Sequence, residues 1–426
     1  MTSDPEHPGL TFRTLDADDE PDLVAGWYAA VARGFHEPRD PESSRNRWLE
    51  HVRADRVTLR GVWQEHPVVG AGTLPVATFS SWDKTINVGG GRTLPVRKIS
   101  DVTVSPTHRR QGLLRALMGI DLADAVAARI PLVALLVSEG SIYGRFGFGA
   151  ATFVRKLEVD TTARFRLRGL DDDGSMVLVE PAEAAKEIAT VFADFHASTR
   201  GSVDRTLSHE QRLTGVWNYQ THAPDTKLHT ALHLDAGGRP DGYAVYQAEE
   251  PKDGRQSVTV GDLVATTPAA YLRLWQFLAD LDLVHQVTWR KAPVEDPLFW
   301  ALVEPFAAKT VAVEEFLWVR VLDVVTALET RPWGADGTVV IEVDDPLGHA
   351  AGRFRVTVSG GRAEVTPTDA GPDVTLAADT LGSLYLGGVP VATLAAAGRI
   401  GGSADAVARW AALCDVGPTP YCITGF

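Results

Sequence analysis

The chain has 426 residues, 45% hydrophobic and 23% charged, enough apolar material for two or three ordinary domains. Its net charge of −14 argues against nucleic acid as a partner and suits a cationic small molecule. Two cysteines, Cys414 and Cys422, exclude a disulfide framework and a multi-cysteine metal site.

Residues 1–10 read as a polar, disordered lead-in without the apolar core of a signal peptide. No apolar run reaches membrane-spanning length, so a cytoplasmic protein with no membrane partner is expected. A strand follows at Thr11–Arg13. Helices are expected at Pro21–Arg33, with Leu23, Trp27, Ala30 and Val31 at helical spacing, and at Ser44–Ala54. Strands follow at Val57–Gln64, Val68–Ser80 and Leu94–Val104. The glycines of Asn87–Arg92 precede no helix, so they form a hairpin turn and not a phosphate loop.

Val102–Val104 is a β-branched strand end, and Ser105–Pro106 breaks it. Thr107-His108-Arg109-Arg110-Gln111-Gly112 is then a basic turn into a helix over Leu113–Arg129. A strand entering a helix through such a turn offers backbone N–H groups to an anion, and the arginines add forked donors for a diphosphate. Leu113, Leu117, Ile120 and Val126 are expected on the buried face, with Asp121 and Asp124 off it. Pro131 leads into the apolar run Leu132–Val137, a buried strand parallel to its predecessor. In such a βαβ unit the ligand crevice lies at the strands' carboxyl ends, which brings Ser138, Glu139 and Tyr143 beside the turn.

A second module repeats this plan: strand Val177–Val179, helix Pro181–Ala197, strands Leu228–Leu234, Gly242–Gln247 and Ser257–Ala265, helix Ala269–Leu281 and strand Gln286–Arg290. Its strand-to-helix turn, Thr266-Thr267-Pro268, has no basic cradle, so no cofactor is expected there. Asp171–Gly174 reads as a solvated loop. A third module has a helix at Val321–Thr330 and strands at Thr338–Val343, Arg353–Ser359 and Arg362–Thr366. Helices at Ala378–Tyr385, Val391–Ala397 and Ala404–Leu413 complete it.

Four segments carry a specific resemblance. They are Val102–Arg115, Ser138–Gly149, Asp241–Tyr246 and Leu381–Gly387, spread in order across the chain. Together they resemble the enhanced intracellular survival (Eis) acetyltransferases of actinobacteria, within the GCN5-related N-acetyltransferase (GNAT) superfamily. The resemblance implies an α/β fold of mixed sheets. A GNAT domain (1–158), a degenerate GNAT-like domain (159–317) and a domain similar to sterol carrier protein (318–426) are expected. It further implies a homohexamer that transfers acetyl from acetyl-CoA to amines of aminoglycosides or polyamines.

By that resemblance Val102, Thr103 and Val104 hold the pantetheine amides. Arg110, Gln111, Gly112, Leu113, Leu114 and Arg115 hold the pyrophosphate, and Ser138 and Glu139 line the arm near the thioester. The superfamily turn prefers Gly or Ala where Leu114 stands, and Eis-like proteins accept Leu. Tyr143 becomes the proton donor to the departing thiolate. Phenol near ~10 and thiol near ~8.5 differ by ~1.5 units, roughly 2 kcal/mol, a gap that a concerted transfer crosses. The carboxylate of Phe426 becomes the proton acceptor. An α-carboxyl near ~3.5 is a weak base for an ammonium, which leaves three arrangements open: a buried carboxylate of raised pKa, a water relay, or electrostatic orientation of the amine. Phe35, Glu37 and Trp48 are expected in the substrate wall, where carboxylates and π-faces suit ammonium groups. Asp101 joins them where the family often has an aromatic, and Gly425 stands where an acidic residue can occur. No His spacing has the pattern of a metal site, so no metal is expected. The competing reading is a GNAT-shaped regulatory protein that binds lipid or another small molecule between Leu381–Leu386 and Val391–Ala397.

Overall fold

Gly89, Gly90 and Gly91 take φ of 101°, 62° and 67°, values open to glycine without strain, and they turn the chain between two long strands. The expected hairpin is therefore present, and both its arms run for 13 residues. The computed structural model describes residues 2–3, 7–68, 74–137, 139–252 and 254–426, with the backbone alone for Thr2 and Ser3. Ser138, residues 69–73 of the expected strand Val68–Ser80, and residues 1 and 4–6 of the expected lead-in lie outside the described residues.

The first module holds β1 (Thr2–Ser3), β2 (Leu10–Leu15), α1 (Pro21–Gly34), α2 (Glu42–Ala54), β3 (Thr58–Gln64), β4 (Ala77–Gly89) and β5 (Arg92–Val104). It continues with α3 (Leu113–Ala127), β6 (Leu132–Leu136), α4 (Gly140–Tyr143) and β7 (Gly149–Ala150). The second holds β8 (Phe153–Asp160), β9 (Ser175–Val179), α5 (Ala185–Ser198), α6 (Leu207–Leu213), β10 (Leu228–Leu234), β11 (Pro240–Ala248) and β12 (Gln256–Ala265). There follow α7 (Pro268–Ala279), β13 (Val284–Pro293), α8 (Leu298–Ala301), β14 (Ala308–Glu315) and β15 (Leu317–Val321). The third holds α9 (Val324–Thr330), β16 (Gly337–Asp344), β17 (Gly352–Ser359), β18 (Arg362–Pro367) and β19 (Val374–Ala377), then α10 (Ala378–Tyr385), α11 (Val391–Ala396), β20 (Ile400–Gly402) and α12 (Ala404–Cys414).

Three mixed sheets result, ordered β1-β2-β3-β4-β5-β6-β15-β7, β14-β8-β13-β12-β11-β10-β9 and β18-β17-β16-β19-β20. They cross the expected boundaries at 158/159 and 317/318. Strand β8 leaves the first module to pair with β13 and β14, and β15 returns to lie between β6 and β7. Every residue of Leu317–Val321 is buried, so this run is a central strand of the first sheet and not the start of a third module. The following helix begins only at Val324, where the Asp323 side chain accepts from Thr326 N at 3.0 Å.

Opposite faces of the first sheet carry different helices. Leu113, Leu117, Met118 and Leu122 of α3 pack with Phe79, Ile99, Val133 and Leu135. Trp27, Trp48 and Val52 of α1 and α2 pack with Leu59, Trp63 and Trp82. The expected α3 face needs correction. Ile120 and Val126 are exposed, and Asp121 is fully buried, paired with Arg60 of β3 at 2.6 Å. A buried aspartate is tolerable only because this guanidinium and the Ser81 hydroxyl reach it. The lead-in is also more than a loose end: β1 pairs with β2, and the His7 ring bonds Gln111 O at 2.8 Å. Asp172 of the supposed solvated loop is tied to His233 and Arg273. In the third module Leu381, Leu384, Leu386, Val391 and Leu394 sit in one core with Val96, Leu132 and Val319 of the first sheet. Among the described residues no helix is long and apolar enough to cross a membrane.

Candidate active site

The site begins as a fork between two parallel strands. Strands β5 and β6 pair from Val96↔Leu132 to Ile99↔Leu135 and then part. Beyond that point, among the described residues, β5 pairs only with β4, through Ser100↔Ser80, Thr103↔Thr78 and Val104↔Ala77. Asp101 and Val102 form a bulge opposite Phe79, with Asp101 at φ 53°. The bulge swings the end of β5 away from β6 and leaves the backbone of Val102–Val104 open on that side.

The basic turn closes one end of the fork. After a 3-10 turn at Pro106–His108, Arg110 and Gly112 both take left-handed backbone, with φ of 65° and 81°. Such a conformation is costly for an arginine and points to a selected loop shape. Helix α3 starts at Leu113 with no side chain capping it, so its first-turn N–H groups and its positive dipole end face outward. Arg109, Arg110 and Arg115 surround this helix end, and all three line a cleft of about 870 Å³. Val102, Thr103, Val104, Gly112, Leu113 and Leu114 line it too.

Tyr143 lines the same cleft from the far side, at the end of the short helix α4. It is 8% exposed, with its ring edge-on to Phe148 at 6.3 Å. Burial, and then the charge of Glu139, pushes its phenol above the usual range. The hydroxyl therefore keeps its proton at any physiological pH. Glu139 is also in the lining.

The last residues of the sequence dock against both sheets. The Tyr421 hydroxyl donates to Lys291 O, Lys291 Nζ donates to Ile423 O at 3.3 Å, and His209 Nδ1 lies 3.2 Å from Gly425 O. Ile423 is fully buried in the second module's core. Phe426 crosses to the first sheet, where its ring meets Trp82 edge-on at 5.8 Å. The Lys98 ammonium stands 3.9 Å from the centre of the Phe426 ring. Trp82 and Lys98 are directly paired on β4 and β5. Ser80, two residues from Trp82, shares its face and donates to the Asp101 carboxylate at 2.7 Å. Asp101 is thus on the Phe426 side of the sheet, and burial raises its pKa.

The fork brings most of the expected residues together, but not all. Phe35, 48% exposed, lines the cleft. Glu37 instead edges a neighbouring hollow with Arg33, His36 and Arg39. Trp48 is core: it stacks on Trp27 at 5.6 Å, although Phe426 packs against the same cluster. Gln111 is exposed and engaged through its carbonyl with His7. Asp101 and Phe426 lie on the other face of the sheet from α3 and outside the cleft lining. Trp82, Ser80 and Lys98 were not anticipated. Their signal was the hairpin at Asn87–Arg92, since counting register from it pairs Trp82 with Lys98. Among the described residues no group of His, Cys, Asp and Glu is arranged to hold a metal ion.

Known proteins match this architecture over most of its length. Residues 12–151 and 201–321 each match an acetyltransferase (GNAT) domain family, and residues 324–423 match the sterol carrier protein domain family. The N-acetyltransferase Eis of Mycobacterium tuberculosis is 34% identical over 399 residues, which are 92% of this chain and 93% of that protein. An uncharacterized N-acetyltransferase of Streptomyces avermitilis is 35% identical over 416 residues, 94% of this chain and 95% of the other. The crystal structure of Eis1 from Mycobacterium abscessus superposes with a TM-score of 0.81 at 28% identity, covering 98% of this chain and 100% of that one.

Proposed function

The chain belongs to the Eis family of GNAT N-acetyltransferases, and from that premise we propose that it acetylates a primary amine of a cationic small molecule, an aminoglycoside or a polyamine or lysine-type amine. The observation that carries this reading is the fork: an uncapped helix end ringed by arginines and a buried tyrosine line one cleft between parting strands.

The residues present fit acetyl-CoA. A pyrophosphate suits the Leu113, Leu114 and Arg115 end of α3, with Arg110 and Arg115 as charged donors and Gly112 allowing close approach. The open edge of Val102–Val104 suits pantetheine amides, which would add to β5 as a strand adds to a sheet edge. Glu139 lies on the path toward Tyr143, and Ser138 is assigned to the same arm by family resemblance alone. Bound there, the cofactor supplies an acetyl thioester.

An alkylamine with pKa near ~10 must lose a proton before it attacks. We assign that proton to the carboxylate of Phe426, the last residue of the sequence. Its docking on Trp82, close to Asp101, supports a negative and aromatic environment for an ammonium. Tyr143 gives its proton to the sulfur as the thioester breaks. The cationic substrate would approach from the side of Trp82 and Asp101, with Phe35 at the cleft mouth. Assembly as a homohexamer and a cytoplasmic location complete the proposal.

Thiol release from acetyl-CoA, followed on addition of kanamycin-like amines or spermidine, tests it. Turnover dependent on the amine is expected. No rate above background across a broad amine panel would contradict the proposal.

A further inference from the structure

Lys98 is a fully buried lysine in the middle of a central strand, a placement that needs a reason. Among the described residues its ammonium has no carboxylate partner in direct contact. It donates to Asp204 O at 3.2 Å, stands 3.9 Å from the centre of the Phe426 ring and 5.4 Å from that of Trp82. One cation therefore touches the loop between α5 and α6 of the second module, the face of the first sheet and the final residue of the tail. We propose that Lys98 is a positioning residue for the reaction: its cation grips the Phe426 ring from below and thereby fixes the terminal carboxylate beside the acceptor amine.

The physical basis is the ring quadrupole, whose attraction for a cation grows as water is removed. Here the ammonium is wholly out of water and the ring is partly buried. Phe426 has no ion pair of its own among the described contacts, and its backbone neighbour is anchored only through His209. Without a partner beneath it, a terminal residue keeps most of its freedom. Burial lowers the Lys98 pKa to about 7, opposed by Cys422, Asp204 and Asp55 and aided by Lys84. Further titratable groups around it are His51 on α2, whose ring meets Trp82 at 6.0 Å, His196 on α5, His209 on α6 and Lys291 on β13, the last two bonded to the tail, and the Phe426 carboxylate itself. The grip is strongest with Lys98 protonated and weakens as pH rises through about 7.

This inference rests on the assignment of Phe426 as proton acceptor, and a double-mutant cycle separates the two. The variants are Lys98→Met, a chain ending at Gly425, and both together, with kcat and the KM for acetyl-CoA measured for each. Lys98→Gln keeps a donor for Asp204 O without the charge and replaces Lys98→Met if the latter does not fold. The expected result is a roughly tenfold fall in kcat for Lys98→Met, a KM for acetyl-CoA within about twofold of native, and no further fall when Phe426 is already missing. Unchanged kcat at Lys98, beside a crippled chain ending at Gly425, would overturn the inference and leave the tail assignment standing. An equal fall in both backgrounds would assign Lys98 to folding alone and also overturn it. Full activity of the chain ending at Gly425 would remove the tail assignment, and Lys98's role with it.

Discussion

The two GNAT modules fork their sheets in the same way. In the first, β5 and β6 part after Ile99 and Leu135; in the second, the parallel pair β12 and β13 parts after Val260 and Trp289. What meets each fork differs. The first opens on α3, whose end is uncapped and ringed by Arg109, Arg110 and Arg115. The second opens on α7, where Thr267 accepts from Ala270 N at 3.1 Å and donates to the Asp241 carboxylate at 3.0 Å. That carboxylate occupies the electrostatic role an anionic ligand would take. Beyond the last pair of β13 with β12, Lys291 O receives the Tyr421 hydroxyl and Lys291 Nζ bonds Ile423 O. The tail thus covers the end of the second fork and sends Phe426 on to the first sheet. A strand–helix turn binds an anion only if its donors and its charge are left available. The second module uses both for its own structure.

The largest effect should come from Tyr143→Phe. If Tyr143 is the general acid we propose, its loss lowers kcat about 100-fold or more, with the KM for acetyl-CoA near native. A variant with native kcat would remove the distinction between a working fork and a structural one. Because the Tyr143 pKa is raised, kcat should show no descending limb from this group below about pH 10.

The seam between the modules is next. Asp55 lies between His51, Lys84 and Leu207 N, at 2.6, 2.6 and 2.9 Å. Burial alone would raise its pKa, but these hydrogen bonds outweigh it and hold the carboxylate at about 2. A depressed carboxylate stabilises the fold above its unfolded pKa of ~3.9, and that contribution is lost as pH falls toward about 2. The loss is about 2 kcal/mol. Urea midpoints measured at pH 6 and pH 3 should show a smaller acid loss in Asp55→Asn than in the native chain.

Arg110→Gly sharpens the comparison from the cofactor side. Removing the guanidinium should weaken acetyl-CoA binding about tenfold, or 1.4 kcal/mol, by calorimetry. Glycine accepts the 65° φ that arginine holds under strain, so the melting temperature should not fall. Thr267→Ala is the counterpart and the smallest effect. Loss of the cap costs about 1 kcal/mol, a few degrees in melting temperature, and acetyl-CoA binding should stay native.

Local features were readable from residue order, and long-range pairings were not. The basic turn, Tyr143 and the parallel strand Leu132–Leu136 follow from spacing and apolar content within about 45 residues, and the fork assembles them. The exchange of β8 and β15 has no local signature, because Leu317–Val321 is an apolar run that would suit either sheet. Asp121 was misplaced for a related reason: its partner Arg60 lies 61 residues away, and without it a charge belongs on the exposed face. Lys98 escaped notice because β4 was expected to end at Ser80, two residues short of the Trp82 that faces it.

A calorimetric titration of the native chain with acetyl-CoA tests the central claim most directly. One molecule bound per chain, at an affinity that drops with Arg110→Gly and is untouched by Thr267→Ala, is the result the asymmetry of the two forks requires. Two molecules per chain, or one whose affinity follows Thr267 and ignores Arg110, would contradict it.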